Sequence, residues 1–241
     1  MDTNQNKNEY PKAVVITGAA DRIGLELAKE CLYLGYCVII HYRTSAKPAE
    51  SVFKDDERVT FIQRDFAESP EMPELFVDDV VSLPFALTGL INNAAVFETG
   101  DMSDPDHFDS VLTVNALIPL RLSAAFAKFV KNGWIVNITD ARAHHKSEKY
   151  QNYRVSKIFL DEITRQQAYL YAPAIRVNAI APGAILPPAD GDKKEFSRLS
   201  NLIPLTKTGD PAHIRQALRF LVENEYMTGS VIPVDGGWGL A

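Results

Sequence analysis

Cysteine is scarce in this chain, and both examples lie in segments that we expect to be buried. The 241 residues include two cysteines, Cys31 and Cys37. Cys31 falls where apolar residues recur at helical spacing, and Cys37 opens an apolar run typical of a strand. Small buried thiols pack as ordinary hydrophobic groups. The sequence therefore favours two core cysteines in a reducing compartment over a disulfide or a metal site.

An excess of positive charge is also missing. The chain carries 25 lysines and arginines against 31 aspartates and glutamates, a formal net charge of −6. A nucleic-acid surface needs concentrated positive charge, so we expect no nucleic-acid partner. No group of His, Cys and Asp residues has the spacing of metal ligands, and we expect no metal.

Long hydrophobic runs are absent as well. No apolar stretch approaches the roughly 20 residues that span a bilayer. The N-terminal segment MDTNQNKNEYPK is polar and lacks an apolar centre, so it resembles neither a signal peptide nor an anchor. We therefore expect residues 1–11 to form a flexible tail, and the protein to be cytoplasmic and without membrane contact.

What the sequence does contain is a regular alternation of apolar runs with helical patterns. The runs predict strands at residues 13–17, 37–42, 58–63, 87–95, 134–139, 174–182 and 230–237. The helical patterns cover residues 22–34, 72–81, 104–130, 150–170 and 211–222. Runs that are apolar throughout are typical of parallel strands covered on both faces. The alternation predicts an α/β fold, a Rossmann-type doubly wound parallel sheet in a single domain of residues 12–241.

Residues 184–210 interrupt this alternation. The segment reads as irregular and contains Pro187, Pro188 and Gly191. Irregular connections of this length often cover binding sites. We therefore expect residues 184–210 to form a substrate lid.

The turn after the first strand, TGAADRIG, has the features of a dinucleotide-binding turn. Gly18 permits a tight bend, and Gly24 lets the next helix begin close to the sheet. The amino end of that helix offers unpaired N–H groups to a phosphate. Arg22 replaces a glycine in the middle of the turn and adds donors suited to phosphate. The alternative is a purely structural turn.

The end of the second strand, HYRTS, indicates which dinucleotide would bind. NAD enzymes usually carry an acid there to hold the ribose hydroxyls, whereas an arginine suits a 2′-phosphate. This chain has Arg43, followed by Thr44. NADPH is therefore the expected cofactor, although a solvated arginine at a strand end is the simpler alternative.

Two further strand ends carry candidate cofactor residues. Asp65, in the segment RDF, could accept a hydrogen bond from an adenine amino group. Asn93 and Ala94, in NNAA, would let the backbone approach the cofactor ribose, because ligands sit at the carboxyl ends of the strands. An asparagine at a strand end also serves simply to close a turn.

These motifs together resemble the short-chain dehydrogenase/reductase family. TGAADRIG, NNAA, Asn115, YRVSK and the pair Pro182-Gly183 occur in the order and spacing of that family, over about residues 12–240. The resemblance implies hydride transfer from a nicotinamide, with Tyr153 as proton donor. Lys157 would lower the pKa of Tyr153 and hold the nicotinamide ribose, and Asn115 would hold a water linked to Lys157.

The resemblance also fixes the full set of expected site residues. The catalytic residues would be Asp140, Tyr153, Lys157 and Asn115. The cofactor would contact Gly18, Arg22, Ile23, Gly24, Tyr42, Arg43, Thr44, Asp65, Phe66, Asn93, Ala94, Tyr153, Lys157, Pro182 and Gly183. The substrate would contact Arg22, Phe97, Asp140 and Tyr153.

One position departs from the common family pattern. The family's serine lies thirteen residues before the tyrosine, and this chain has Asp140 there. A serine can donate to a carbonyl oxygen, whereas an ionised aspartate only accepts and would repel an alkoxide. A carboxylate would instead stabilise a protonated C=N bond. The alternative is a degenerate site that has lost its serine.

An aspartate at this position is found in pteridine reductases, including the dihydromonapterin reductase type. These proteins also carry an arginine in the glycine-rich turn, as Arg22 does here. The resemblance implies NADPH-dependent reduction of dihydropterins, in some cases dihydrofolate, to tetrahydropterins. Phe97 stands where these enzymes stack the pterin ring. Ala95 departs from the type, which commonly has a serine there.

Two other functions remain open at this point. A carbonyl reductase acting on 3-oxoacyl thioesters or sugars would have the same fold, and so would a non-catalytic NADP-binding sensor. The resemblance further implies a homo-oligomer, a dimer or a tetramer, that pairs the helices carrying Asn115 and Tyr153.

Overall fold

The protein is a seven-stranded parallel sheet with helices on both faces. This computed structural model describes residues 10–69, 71–146, 148–187 and 193–241. The strands are β1 Lys12–Ile16, β2 Cys37–Tyr42, β3 Val59–Gln63, β4 Ala86–Asn92, β5 Gly133–Ile138, β6 Ile175–Pro182 and β7 Val231–Val234. Their order is β3-β2-β1-β4-β5-β6-β7, and every neighbouring pair is parallel. The predicted doubly wound, single-domain α/β fold is confirmed.

The helices agree with the sequence pattern in all long segments. They are α1 Arg22–Tyr33, α2 Lys47–Val52, α3 Met72–Ser82, α4 Pro105–Leu112, α5 Ile118–Phe129, α6 Gln151–Tyr171, α7 Lys193–Arg198 and α8 Pro211–Glu223. The short helices α2 and α7 are not predicted by the sequence pattern. Helix α7 continues into a 3-10 turn, Leu199–Leu202, so the expectation of a wholly irregular segment after Gly183 is wrong. The expected N-terminal tail lies largely outside the described residues.

The sheet is buried on both faces, which explains why its strands are apolar throughout. Val14 and Ile16 face a core with α1 and α8, whereas Ala13 and Val15 face a second core with α3 and α5. Successive residues of a strand point to opposite faces, so both sets must be apolar. Cys31 and Cys37 are buried in these two cores, as expected.

The strand order reverses direction between β1 and β4. The chain builds outward from β1 to β3 on one side and from β4 to β7 on the other. The carboxyl ends of β1 and β4 therefore leave a crevice between the loops that follow them, the place where ligands bind in such sheets. Thr17 closes the base of this crevice, because its Oγ1 accepts from the backbone N–H groups of Asn93 and Ala94, both at 3.0 Å.

A helical run of 25 residues, Pro105–Phe129, packs along the sheet. Asp104 caps its start by accepting from the His107 N–H, and a π-helical segment, Thr113–Leu117, lies between α4 and α5. By length and composition this run could cross a membrane, so the expectation that no apolar stretch reaches such a length is wrong. Half of its most apolar window is buried within the fold, as in a core helix.

A buried histidine on β2 ties two loops together at the edge of the crevice. His41 is 3% exposed, its Nδ1 accepts from the Gly18 N–H at 3.2 Å, and its Nε2 donates to the Arg64 carbonyl at 3.0 Å. Its ring stacks on Phe66 with centroids 4.2 Å apart. Burial lowers the pKa of His41 to about 4, so the neutral ring is the form that the fold selects.

This histidine should make the protein sensitive to mild acid. Between pH 6.5 and about 4 the unfolded chain binds a proton at this site that the folded chain does not. Stability therefore falls as the pH is lowered through that window, by on the order of 3 kcal/mol. Urea unfolding at several pH values should show this slope in the wild type and a flatter one in His41→Gln. A substitution at the exposed His213, His213→Gln, should retain the slope; equal slopes in all three proteins would contradict the assignment.

Candidate active site

A cleft of about 910 Å³ opens at the carboxyl edge of the sheet. The predicted site residues that line it are Gly18, Arg22, Ile23, Gly24, Arg43, Asp65, Phe66, Asn93, Ala94, Phe97, Asp140, Tyr153, Lys157, Pro182 and Gly183. Tyr42, Thr44 and Asn115 are not among its lining residues. Segments that lie far apart in the sequence are thus brought to one cavity by the parallel topology.

The β1–α1 turn is shaped as its glycines require. Gly18 has a φ of +61°, and a Cβ on Gly24 would lie 2.7 Å from the Asn93 side-chain nitrogen, too close for any side chain. Arg22 has a φ of 55°, a left-handed conformation that suits the glycine it replaces. Its guanidinium Nη2 donates to the Pro187 carbonyl at 2.6 Å. Arg22 thus joins the turn to the first part of the segment predicted as a lid.

The ends of β2 and β3 form the basic end of the cleft. Arg43 is exposed there, and Arg64 lines the same region. Asp65 is engaged locally, since its Oδ1 accepts from the Ala67 N–H at 2.9 Å. Arg64 is ion-paired with Asp79, and the exposed Arg43 beside it suits an anionic group such as a ribose phosphate.

The asparagine after β4 acts mainly on the protein itself. The Asn93 amide donates to the carbonyls of Thr17 and Gly18, at 3.0 and 2.9 Å. The geometry therefore gives Asn93 a turn-closing function, which was the alternative left open by the sequence. Ala94 packs against Gly18 and lines the cleft.

The acid and the phenol expected from the sequence meet in the deepest part of the cleft. The Tyr153 hydroxyl donates to Oδ2 of Asp140 at 3.2 Å, and Oδ1 of Asp140 accepts from the Arg142 N–H at 2.7 Å. Lys157, one turn along α6, is buried and donates from Nζ to the Ile138 carbonyl at 2.8 Å. Strand β5 and helix α6 together position all three groups.

Burial shifts the pKa of each of these three groups. It raises the pKa of the Asp140 carboxyl above its usual range. The pKa of Tyr153 is raised well above 10, first by burial and then by the negative charge of Asp140 and the hydrogen bond to it. Burial lowers the pKa of Lys157 to about 8. The pKa of Tyr153 is thus raised overall, and the lowering by Lys157 that the resemblance implies stays a prediction.

These shifts have a chemical consequence. Asp140 and Tyr153 both hold protons more tightly than they would in water, and they share a hydrogen bond. Lys157 releases its proton more readily. Groups whose pKa values are displaced in this way are typical of acid–base catalysis.

Asn115 holds a loop beside the cleft. It lies in the π-helical segment and is fully buried. Its Oδ1 accepts from the Val96 N–H at 2.8 Å, and its Nδ2 donates to the Val96 carbonyl at 2.9 Å and to Ser156 at 3.0 Å. Its side chain therefore fixes the backbone just before Phe97, and the expected water-holding role stays a prediction.

Phe97 is part of an aromatic group at the mouth of the cleft. Its ring stacks on Tyr150 with centroids 4.6 Å apart and planes 11° apart. The edge of Tyr153 meets it at 4.7 Å and 85°. Phe97 is half-exposed, so this group presents apolar surface beside the Tyr153 hydroxyl.

Several lining residues are not predicted from the sequence. They include Thr17, His41, Arg64, Arg142, Tyr150, Arg154 and Trp238. Tyr150 could have been found, because the sequence pattern predicts a helix from residue 150 and so places Tyr150 near Tyr153; in the structure it lies just before α6. Trp238 carries no such signal, since it reaches the cleft from the C-terminal segment. There its ring packs against the Arg142 guanidinium at 4.6 Å.

The described parts of the predicted lid border the cleft. Ala184, Leu186, Phe196 and Leu199 line it, whereas residues 188–192 lie outside the described residues. Apolar side chains from this segment thus line the same cavity as the aromatic group. Within the described residues, no cluster of three or more His, Cys, Asp or Glu side chains could hold a metal ion.

Comparison with known proteins places the chain in a family. The family model described as enoyl-(acyl carrier protein) reductase matches residues 18–239. The chain therefore belongs to this branch of the short-chain dehydrogenase/reductase family and is an oxidoreductase. The resemblance predicted from the motifs is confirmed.

Individual relatives are similar over nearly the whole chain. The dihydromonapterin reductase of Enterobacter sp. (strain 638) is 28% identical over 237 residues, covering 95% of this chain and 98% of the relative. The dihydromonapterin reductase of Shigella sonnei (strain Ss046) is 27% identical over 234 residues, covering 94% and 96%. Among solved structures, FolM alternative dihydrofolate reductase 1 of Brucella suis in complex with NADP has a TM-score of 0.88 and 29% identity, covering 98% and 97%.

The strained conformation of Arg22 leads to a test of stability. A side chain in the left-handed region costs roughly 1 kcal/mol or more relative to glycine. Arg22→Gly should therefore be more stable than Arg22→Ala by about 1 kcal/mol in urea unfolding, because both lose the contact with Pro187 and only the glycine removes the strain. Equal stability of the two variants would show that the backbone at this position is not strained.

Proposed function

We propose that this chain is an NADPH-dependent reductase of dihydropterins, among them dihydromonapterin, dihydrobiopterin and dihydrofolate, to their tetrahydro forms. The observation that carries the proposal is the contact between Asp140 and the Tyr153 hydroxyl at 3.2 Å. A buried carboxyl in the place of a serine changes which bond the site can activate.

The cleft has the features that NADPH requires. Arg43 and Arg64 lie at one end of it, where a 2′-phosphate would be held, and Tyr153 and Lys157 lie at the other. The amino end of α1 and Arg22 border the space between them, suited to the pyrophosphate. The NADP in the related Brucella suis structure supports this choice. When bound, NADPH would supply the hydride.

The proton chemistry favours a C=N bond over a C=O bond. An ionised Asp140 would oppose the negative oxygen formed in carbonyl reduction, whereas it would stabilise the cation formed when an imine nitrogen is protonated. The raised pKa of Tyr153 would keep a proton on its hydroxyl near neutral pH, and the pKa of Asp140 is shifted in the same direction. Either group, or a water held between them, would deliver that proton to the ring nitrogen.

The substrate end of the cleft suits a flat heterocycle. Phe97, Tyr150 and Tyr153 provide aromatic surface, against which a pterin would stack beside the nicotinamide. Arg22 would bridge the cofactor phosphate and the pterin. The dihydromonapterin reductases among the relatives support this class of substrate.

We further propose a cytoplasmic homo-oligomer, a dimer or a tetramer, without membrane or nucleic-acid contacts. Phe159, Tyr169 and Leu170 are large apolar side chains exposed on α6. Such a surface suits a contact between copies of this chain. The formal net charge of −6 argues against binding to nucleic acid.

A substrate panel tests the main proposal. The purified protein should oxidise NADPH in the presence of dihydromonapterin, dihydrobiopterin or dihydrofolate. The reaction is followed by the loss of NADPH absorbance at 340 nm. A 3-oxoacyl thioester and a sugar ketone serve as carbonyl controls. Turnover of the ketones with none of the pterins would overturn the proposal in favour of a carbonyl reductase. Cofactor binding without turnover of any compound would favour a non-catalytic sensor.

Asp140 should control both the rate and its pH dependence. Asp140→Ser and Asp140→Asn should each lower kcat/KM for dihydromonapterin by about 100-fold, the usual contribution of a positioned acid or base. The negative charge of Asp140 raises the pKa of Lys157. Removing that charge should therefore move the alkaline limb of the rate profile to lower pH.

The matched control is Asp109→Asn, which removes an exposed aspartate on α4 outside the cleft. It should leave both the rate and the pH profile unchanged. If Asp140→Ser reduces dihydromonapterin as fast as the wild type, the argument from the carboxylate fails.

A further inference from the structure

The cleft carries much more positive charge than the protein as a whole. The chain has a formal net charge of −6, yet the cationic residues that line the cleft outnumber the acidic ones. Three aspartates line it, against six cations: Arg22, Arg43, Arg64, Arg142, Arg154 and Lys157. Such a local excess attracts anionic ligands.

The proposed cofactor accounts for only part of this charge. Arg43 and Arg64 follow β2 and β3, whereas Arg142 follows β5. Strand β5 lies three places from β2 in the sheet, which is roughly 14 Å at the usual strand spacing. Arg142 is instead two residues beyond Asp140, in the half of the cleft where the substrate would react.

Arg142 has an unusual environment for a partly buried cation. Its guanidinium packs over the Trp238 ring at 4.6 Å, and its Nε is buried with no hydrogen-bond acceptor among the described residues. Within the same part of the chain, no carboxylate lies within ion-pair distance of it. A buried donor without an acceptor is costly unless a ligand supplies one.

A neighbouring arginine increases the need for negative charge. Arg154 lines the cleft and donates to the backbone carbonyls of Arg142 and His145, so its role is to hold this loop. Burial and the positive charge of Arg142 both lower the pKa of Arg154. Two like charges this close are stabilised when an anion binds beside them.

We propose that Arg142, stacked on Trp238, binds an anionic group on the side chain of the substrate, a carboxylate or a phosphate. The inference rests on the proposed function and adds a preference to it: pterins with an anionic side chain would bind better than neutral ones. The planar guanidinium matches both anions through paired hydrogen bonds. Its stacking on Trp238 holds that plane in place before the ligand arrives.

Matched ligand pairs test this preference. Folic acid and its dimethyl ester differ in their carboxylates, and monapterin 3′-phosphate and monapterin differ in the phosphate. Each ligand is titrated into protein saturated with NADP+, with tryptophan fluorescence as the readout. Trp238 lies in the cleft and the second tryptophan, Trp134, is buried in the core, so emission reports chiefly on this site.

The wild type should bind the anionic member of at least one pair about 10- to 100-fold more tightly than the neutral member. That ratio should fall to about 1 in Arg142→Met and to an intermediate value in Arg142→Lys, which keeps the charge without the fork. Arg165→Met, on the exposed side of α6 and outside the cleft, should retain the wild-type ratio.

The outcomes separate the two proposals. Preference within the folate pair alone identifies a carboxylate site, and preference within the monapterin pair alone identifies a phosphate site. Pterin binding without preference in the wild type, or with an equal preference in Arg142→Met, overturns this inference and leaves the proposed function standing. Absence of binding by all four ligands overturns this inference, and the absence of dihydropterin turnover in the substrate panel overturns the proposed function. The wild-type ratio needs no variant, so a misfolded Arg142→Met would not remove the test.

Discussion

The contact between the Asp140 carboxyl and the Tyr153 hydroxyl is the interaction on which the site depends. Burial raises the pKa of both groups, and the charge of Asp140 raises the pKa of Tyr153 further, whereas the hydrogen bond from Tyr153 lowers the pKa of Asp140. Burial lowers the pKa of Lys157, which is the opposite direction to the shifts of Asp140 and Tyr153. Tyr153, which holds its proton tightly, and Lys157, which releases its proton more readily, thus lie one turn apart on α6.

Much of the remaining polar machinery serves to hold loops in place. Thr17, Asn93 and Asn115 use their side chains on backbone groups of the segments that follow β1 and β4. Such bonds fix the walls of the cleft before any ligand arrives. The family pattern assigns Asn93 to the cofactor and Asn115 to a water. In this structure both side chains hold loops of the cleft in place.

The sequence was a reliable guide wherever a feature is local or repeats along the chain. The continuous apolar runs identified all seven strands, since the inner strands are buried on both faces and the edge strands β3 and β7, although only partly buried, keep the same apolar character. The thirteen-residue spacing singled out Asp140 and Tyr153, which the structure brings into contact. The short helix α2 and the contacts of His41 and Trp238 were missed. Helix α2 has six residues, too few to show a helical periodicity. Contacts between segments that are distant in the sequence form only when the sheet is assembled. The raised pKa of Tyr153 could not be predicted from the sequence either, because its main cause is burial.

The double clamp of Asn115 on Val96 has a consequence for how the cleft accommodates different molecules. Because Asn115 holds both the N–H and the carbonyl of Val96, the backbone beside Phe97 is fixed. Phe97 can then adjust only by rotating its side chain. Differences in ring size must then be absorbed by the pairing of Phe97 with Tyr150, two aromatic groups that belong to separate segments. Breadth of recognition in this protein would be a property of rotamers rather than of loop motion.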